Sequence, residues 1–396
     1  MRRRPTFPVV LAGAAAFLNL YATQPLLPLL SRRFGATAFD VGLTITAPTV
    51  AIALTAPFIG RLADRAGLRR VIVGSVWMLM IATALAATSG SLRQLIFWRF
   101  VQGIATPGIF ASAIAYIHEV WPSTHAGRAT AAYMSGTVLG GFTGRAVGGM
   151  VAQDFGWQAS FAALTVMTAA VAGALSIWLP PEPAPAARHH APQLRPIGSF
   201  GDLLRNRRLL ATCAVGFCIL FTQVAMFTYV TFHVAAPPYS LSTVALGWLF
   251  VVYLLGAAVM PFSGMWIDSY GHRAGLVLAM SIGGTGSLMT LAPSLAVIIA
   301  GLALCATGVF IAQGTTSSYI GAVTTQDRAL AVGLYSTFYY AGGSVGAVLP
   351  AAVWTKAGWP GCVVLIVAVQ VVGVALAFSQ WTPAAASAEV GLGTGD

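Results

Sequence analysis

Apolar residues run through this chain in blocks of about 20, each closed by a short polar or glycine-rich break. A block of that length crosses a ~30 Å hydrocarbon core as an α-helix. The blocks fall at 7–30, 41–62, 71–89, 92–117, 129–152, 159–180, 209–233, 244–267, 274–291, 295–319, 330–353 and 360–380, and they predict twelve spans. One connection is long. Residues 181–208 carry Pro-Pro-Glu-Pro-Ala-Pro, then His189-His190, and end in Phe200–Arg208, a basic amphipathic stretch suited to a membrane surface. It divides the chain into an N-terminal six-helix bundle, 1–180, and a C-terminal one, 209–380, with 181–208 as linker. The Ala- and Gly-rich tail, 381–396, is expected to be disordered. Met1-Arg-Arg-Arg4 with the apolar run behind it has the outline of a signal peptide. Asn19, Gln24 and two prolines interrupt that run, and no small-residue cleavage site follows, so it is read as a retained first span.

The pattern repeats. The polar turn Gly60-Arg-Leu-Ala-Asp-Arg-Ala-Gly-Leu-Arg-Arg70 returns as Gly264-Met-Trp-Ile-Asp-Ser-Tyr-Gly-His-Arg273, with Gly60, Asp64 and Gly67 matching Gly264, Asp268 and Gly271 at an offset of 204. Tyr133, Gly140, Gly141, Gly144, Gly156 and Trp157 return as Tyr335, Gly342, Gly343, Gly346, Gly358 and Trp359 at an offset of 202. Two copies of a six-span unit imply pseudo-symmetric halves with a binding site between them near mid-membrane.

Composition agrees with the pattern: 57% of residues are hydrophobic and 8% charged, too few charges to cover a water-soluble surface. The net charge of +11 forms no basic stripe of the kind that binds nucleic acid. It sits in alternate loops. With the N-terminus inside, fifteen basic residues fall on cytoplasmic positions and four (Arg32, Arg33, Arg93, Lys356) outside, which places both termini in the cytoplasm of a bacterial inner membrane. Cys213, Cys218, Cys305 and Cys362 all lie within apolar runs and read as small buried hydrophobes. No nucleotide-binding loop, metal-ligand cluster or nucleophile elbow occurs, so ATP-driven pumping and catalysis are excluded and no cofactor is implied.

The loop after the second span, with Gly60, Leu62, Ala63, Asp64, Arg65, Gly67 and Arg69, resembles the signature of the major facilitator superfamily, and the resemblance covers nearly all of the chain. Leu68 stands where the family usually has the first of two bases. The resemblance implies an all-α fold of twelve transmembrane helices in two pseudo-symmetric bundles. It also implies conformational gating by Gly60, Asp64, Arg65, Gly67, Arg69, Asp268 and Arg273. Arg99-Phe-Val-Gln102-Gly103 is similar to a second family signature and suggests coupling or substrate handling by Arg99 and Gln102, the alternative being an anchor to backbone carbonyls of neighbouring helices. Gly140-Gly-Phe-Thr-Gly144-Arg145-Ala-Val-Gly148-Gly149 resembles the signature of the antiporter branch, with Arg145 in place of a proline. Gly140, Gly144 and Gly148 form a flat face for close helix packing, while Arg145 either faces something bound or snorkels outward.

Asn19, Tyr21, Gln24 and Pro25-Leu-Leu-Pro28 in the first span resemble a stretch common among drug- and metabolite-efflux members. Gln223, Tyr229 and Gln313 are further polar candidates for a central aromatic cavity. None of the ten acidic residues lies well inside a span. Asp40 and Glu119, at span mouths, are the nearest substitutes for a coupling carboxylate, and His233 reads as interfacial. The resemblance favours a monomeric secondary transporter exporting a drug-like compound or metabolite by alternating access, driven by the proton gradient. The alternative is an organic-anion transporter using Arg99 and Arg145, by uniport, exchange or symport. A non-transporting receptor on the same scaffold is a remote third reading.

Overall fold

The computed structural model describes residues 6–182, 205–323 and 328–381, without the side chains of 123, 260–269, 328 and 329. Most of the predicted linker and all but Trp381 of the predicted tail therefore lie outside the described residues, as does the side chain of Asp268. Helices account for nearly everything else. They are α1 (Phe7–Leu20), α2 (Leu27–Phe34), α3 (Ala38–Ala66), α4 (Leu68–Ala87), α5 (Leu92–Val120), α6 (Ser123–Trp178), α7 (Arg207–Ala235), α8 (Thr243–Trp248), α9 (Val252–Met289), α10 (Leu295–Val323) and α11 (Arg328–Gln380).

Three of these are too long for one crossing, and each is broken by a single glycine: α6 at Gly156 (φ 83°), α9 at Gly271 (φ 82°) and α11 at Gly358 (φ 59°). Gly67, between α3 and α4, is the fourth, at φ 91°. A side chain disfavours positive φ, so glycine lets the chain reverse without a longer loop. Gly67 pairs with Gly271, and Gly156 with Gly358, in the duplication described above. The internal repeat is thus a repeat of backbone geometry, with twelve crossings in two pseudo-symmetric six-helix bundles.

Proline shapes the first crossing. Pro25 and Pro28 lack the N–H groups that would continue the helix, so α1 stops at Leu20, a tight turn spans Gln24–Leu26, and α2 resumes the crossing. Gln24 N–H reaches only as far as the carbonyl of Tyr21 (3.1 Å), which leaves the carbonyl of Leu20 without its helical donor. Pro48 does the same inside α3, freeing the carbonyl of Thr44.

Glycine sets the helix contacts. Added Cβ atoms at Gly136, Gly140 and Gly144 would strike the backbone of Val10, Ala14 and Leu18 in α1, while Gly148 stands farther off, 3.5 Å from the carbonyl of Ala22. Gly342 and Gly346 meet Phe217 and Phe221 of α7 in the same way. The halves cross where α3 meets α11 and where α6 meets α8. At these crossings Thr46 Oγ1 donates to the carbonyl of Ser344 (2.9 Å), Ser344 Oγ to Thr49 Oγ1 (2.8 Å), and Val244 N–H to Gln153 Oε1 (3.2 Å). These bonds lie toward the end of the bundle where α3 begins and where Gly156 turns the chain.

Candidate functional site

A cavity of about 360 Å³ lies between the two bundles. Ten of its twenty-two lining residues are aromatic, and one, Arg145, is charged. From the interhalf crossings it extends toward the opposite end of the bundle, past Ile114, Met134 and Ser336. Phe110 of α5 stacks on Tyr340 of α11 across the two halves, with ring centroids 5.7 Å apart.

Arg145 is 5% exposed. Its Nη1 donates to the carbonyl of Gly141 one turn earlier (2.7 Å), and its Nε donates to Gln24 Oε1 (2.8 Å). Gln24 in turn donates through Nε2 to Thr228 Oγ1 of the other half (3.4 Å). Three rings surround the guanidinium, with centroids at 4.7 Å (Phe250), 5.1 Å (Tyr21) and 5.1 Å (Tyr253). Such faces stabilise a cation without neutralising it. Nη2 has no acceptor among the described residues, and Arg145 has no carboxylate partner among them. The small residue Gly141 makes the room, since a Cβ there would lie 3.2 Å from Nη1.

Arg99 is as deeply buried, and each of its three nitrogens is hydrogen-bonded. Its Nε donates to the carbonyl of Thr44 (2.9 Å), orphaned by Pro48, and its Nη2 donates to the carbonyl of Leu20, orphaned by the break in the first crossing. Nη1 serves the carbonyl of Asn19 (2.8 Å) and Gln102 Oε1 (2.5 Å). Gln102 Nε2 passes on to Thr83 Oγ1 (2.9 Å), and Asn19 Nδ2 to Thr168 Oγ1 (2.9 Å). This closed network joins crossings one, two, three, four and six. Arg99 thus bonds carbonyls of neighbouring crossings and does not line the cavity.

Of the polar candidates, Tyr21, Arg145, Gln223 and Gln313 line the cavity, and Gln24 touches it through Arg145. Asn19, Arg99 and Gln102 lie in the network behind it, and Tyr229 donates instead to the carbonyl of Ala347 (2.9 Å). Asp40 closes a capping box with Thr37, whose N–H donates to Asp40 Oδ2 (2.9 Å). Of the three rings around Arg145, Tyr21 was a sequence candidate and Phe250 and Tyr253 were not. Phe250 and Tyr253 are one turn apart, and Tyr339-Tyr340 is a visible pair, but nothing local distinguishes them from the other rings of the spans.

At the gating loop, Gly60, Asp64 and Arg65 are exposed. Arg69 donates to the carbonyls of Ser176 (2.7 Å) and Leu179 (2.8 Å), where the last turn of α6 leaves acceptors unpaired. Its counterpart Arg273 donates to the carbonyl of Phe378 near the end of α11 (2.6 Å). Glu182 accepts from Leu68 N–H (3.0 Å) at the start of α4, and its carboxylate occupies the space a Cβ on Gly67 would need.

Twelve crossings in two repeated bundles around a central cavity define a membrane transporter rather than an enzyme. The sequence profile of the Major Facilitator Superfamily matches residues 9–246 and 232–391, and the chain belongs to that family. It is 31% identical over 368 residues (92% of this chain, 90% of the relative) to YybF of Bacillus subtilis (strain 168), described as an uncharacterized MFS-type transporter. It is 30% identical over 362 residues (90% and 86%) to the inner membrane transport protein YnfM of Escherichia coli (strain K12). Among solved structures it resembles a bacterial homolog of the human lysosomal transporter Spinster in an inward-facing and occupied conformation. The TM-score is 0.77 at 16% identity, covering 96% of this chain and 98% of that one.

Proposed function

We propose that the protein carries a small organic anion across the bacterial inner membrane, by alternating access between halves 1–180 and 209–380. The observation that carries this reading is Arg145: a buried cation on the cavity wall with Nη2 unpaired. An ionised group held out of water without a counter-ion is costly, and an anion arriving from the cavity offsets that cost. Arg99, which bonds the carbonyls of Asn19, Leu20 and Thr44 and the Gln102 side chain, is left out of the substrate role. The excess of arginine in alternate loops supports cytoplasmic termini, so the end of the cavity lined by Met134 and Ser336 faces the cytoplasm. The cavity is built within one chain, which supports a monomer as the working unit.

A second reading, proton-driven export of a drug-like compound, is favoured by the aromatic lining and by the likeness of the Gly140–Gly149 face to the antiporter branch. The described cavity lining holds no carboxylate to carry the proton. Flux in proteoliposomes separates the two. The expected result is uptake of organic anions that falls at least about tenfold in Arg145→Ala, the loss of an interaction worth ~1.4 kcal/mol or more, and persists in part in Arg145→Lys. Proton movement triggered by cationic compounds, unaffected by Arg145→Ala, would replace the anion reading with the export one.

A further inference from the structure

We infer that the substrate is an aromatic monoanion: a single carboxylate or sulfonate on a flat ring system, bound with its charged group on Arg145 and its rings among the cavity tyrosines. This rests on the anion reading above and goes on to specify the class.

Charge sets the first limit. Arg145 is the one cation among the described lining residues, and two of its three nitrogens already serve Gln24 and Gly141. The remaining nitrogen suits one anionic group. A second negative charge on the ligand would lie among aromatic walls such as Phe17, Phe110 and Phe310 with no cation to meet it. Buried unpaired charge is strongly disfavoured, so dicarboxylates and phosphate monoesters fit poorly. A neutral ligand could accept a hydrogen bond from Nη2 but would leave the guanidinium without a counter-charge.

Shape sets the second limit. The walls are ring faces and edges contributed by both halves, including the Phe110–Tyr340 stack and the Tyr335–Tyr339 stack at 5.7 Å. Aromatic pairs prefer offset-stacked or edge-to-face geometry, which a flat ligand can continue and a puckered one cannot. Both lie beyond the guanidinium toward the Met134 end, so the charged group enters first and the ring follows. Gln313 of α10, half-buried on the same wall, offers its amide to a neutral ring substituent such as a hydroxyl or carbonyl.

The test is equilibrium binding and thermal shift on the full chain in nanodiscs. Five probes are used: naphthoate, its fully saturated decalin carboxylate, naphthalene dicarboxylate, naphthyl methanol, and the cation tetraphenylphosphonium. Naphthoate is expected to raise the melting temperature and to bind at least about tenfold tighter than each of the others. Arg145→Ala should abolish that binding, and Tyr339→Leu should weaken naphthoate while leaving the saturated acid unchanged. Should Arg145→Ala fail to fold, Arg145→Gln and the wild-type probe series carry the same comparison. Equal binding of naphthoate and the saturated acid, or tightest binding of the dicarboxylate, overturns the aromatic-monoanion class and leaves the anion reading standing. Binding of the cation alone overturns both. Binding of none of the five overturns the class proposed here.

Discussion

Arg99 and Arg145 share a residue type and near-complete burial, yet the surroundings give them opposite work. Arg99 meets carbonyls that two proline-induced defects leave without donors, and we propose that it serves as a strut. Replacing it by leucine should destabilise the protein by about 2–4 kcal/mol, the scale of losing charged hydrogen bonds and leaving buried acceptors unmet. Thermal unfolding in detergent would measure this. Pro48→Ala restores an N–H one turn beyond Thr44, so in the Arg99→Leu background it should recover part of the loss; additive destabilisation would sink the orphaned-carbonyl account. Arg145, by contrast, keeps a nitrogen for the cavity. Its substitution should change transport far more than melting temperature. Both arginines were legible in the sequence as cations within spans. Which of them was already satisfied was not, because the acceptors of Arg99 come from Asn19, Leu20 and Thr44, some 55 to 80 residues away.

At the scale of elements, the positive-φ glycines decide where crossings end. Gly67 is constrained by its φ of 91°, and a Cβ there would also displace the Glu182 carboxylate, the movable end of a long side chain. Gly67→Ala should therefore cost about 1–3 kcal/mol of stability. Glu182→Gln, which keeps the shape but removes a negative charge at the start of α4, should cost roughly 0.3–1 kcal/mol. Both are read from unfolding midpoints, and an alanine as stable as wild type would refute the constraint. The twelve spans and their order were readable from apolar run length. The fusion of crossings five and six, eight and nine, and eleven and twelve into runs turned by one glycine each was not. The breaks themselves were visible, as the polar turn Gly264–Arg273 and the pairs Gly156-Trp157 and Gly358-Trp359. Run length and hydropathy do not say that one glycine makes each reversal.

For the whole molecule, in the alternating access proposed above, the balance between states should rest on close backbone approaches between the halves. A Cβ on Gly42 would stand 2.6 Å from the carbonyl of Ala347, one on Gly149 2.6 Å from that of Thr243, and one on Gly247 2.8 Å from that of Arg145. Overpacking costs about 1–3 kcal/mol, and here the cost falls only on the state in which these crossings are closed. Gly42→Val and Gly247→Val should thus shift the population about five- to a hundredfold toward the other state. The four native cysteines are buried, so spin labels placed at Thr88 and Lys356, near the same end as the crossings, would report the change. The distance should lengthen in both variants; an unchanged distribution would show that the crossings do not set the state.

The sequence by itself determined the membrane class, the twelve crossings, the duplication and the family likeness. Each of these follows from local composition, run length or spacing along one chain. Tertiary structure alone decided which polar residues meet. It took Arg99 into the scaffold and left Arg145 facing the cavity. It drew Phe250 and Tyr253 onto the guanidinium from the other half and brought Glu182 to the Leu68 N–H. The physical reason is that a buried donor is spent or free according to acceptors brought to it from distant crossings, and nothing in its own neighbourhood of sequence records their arrival.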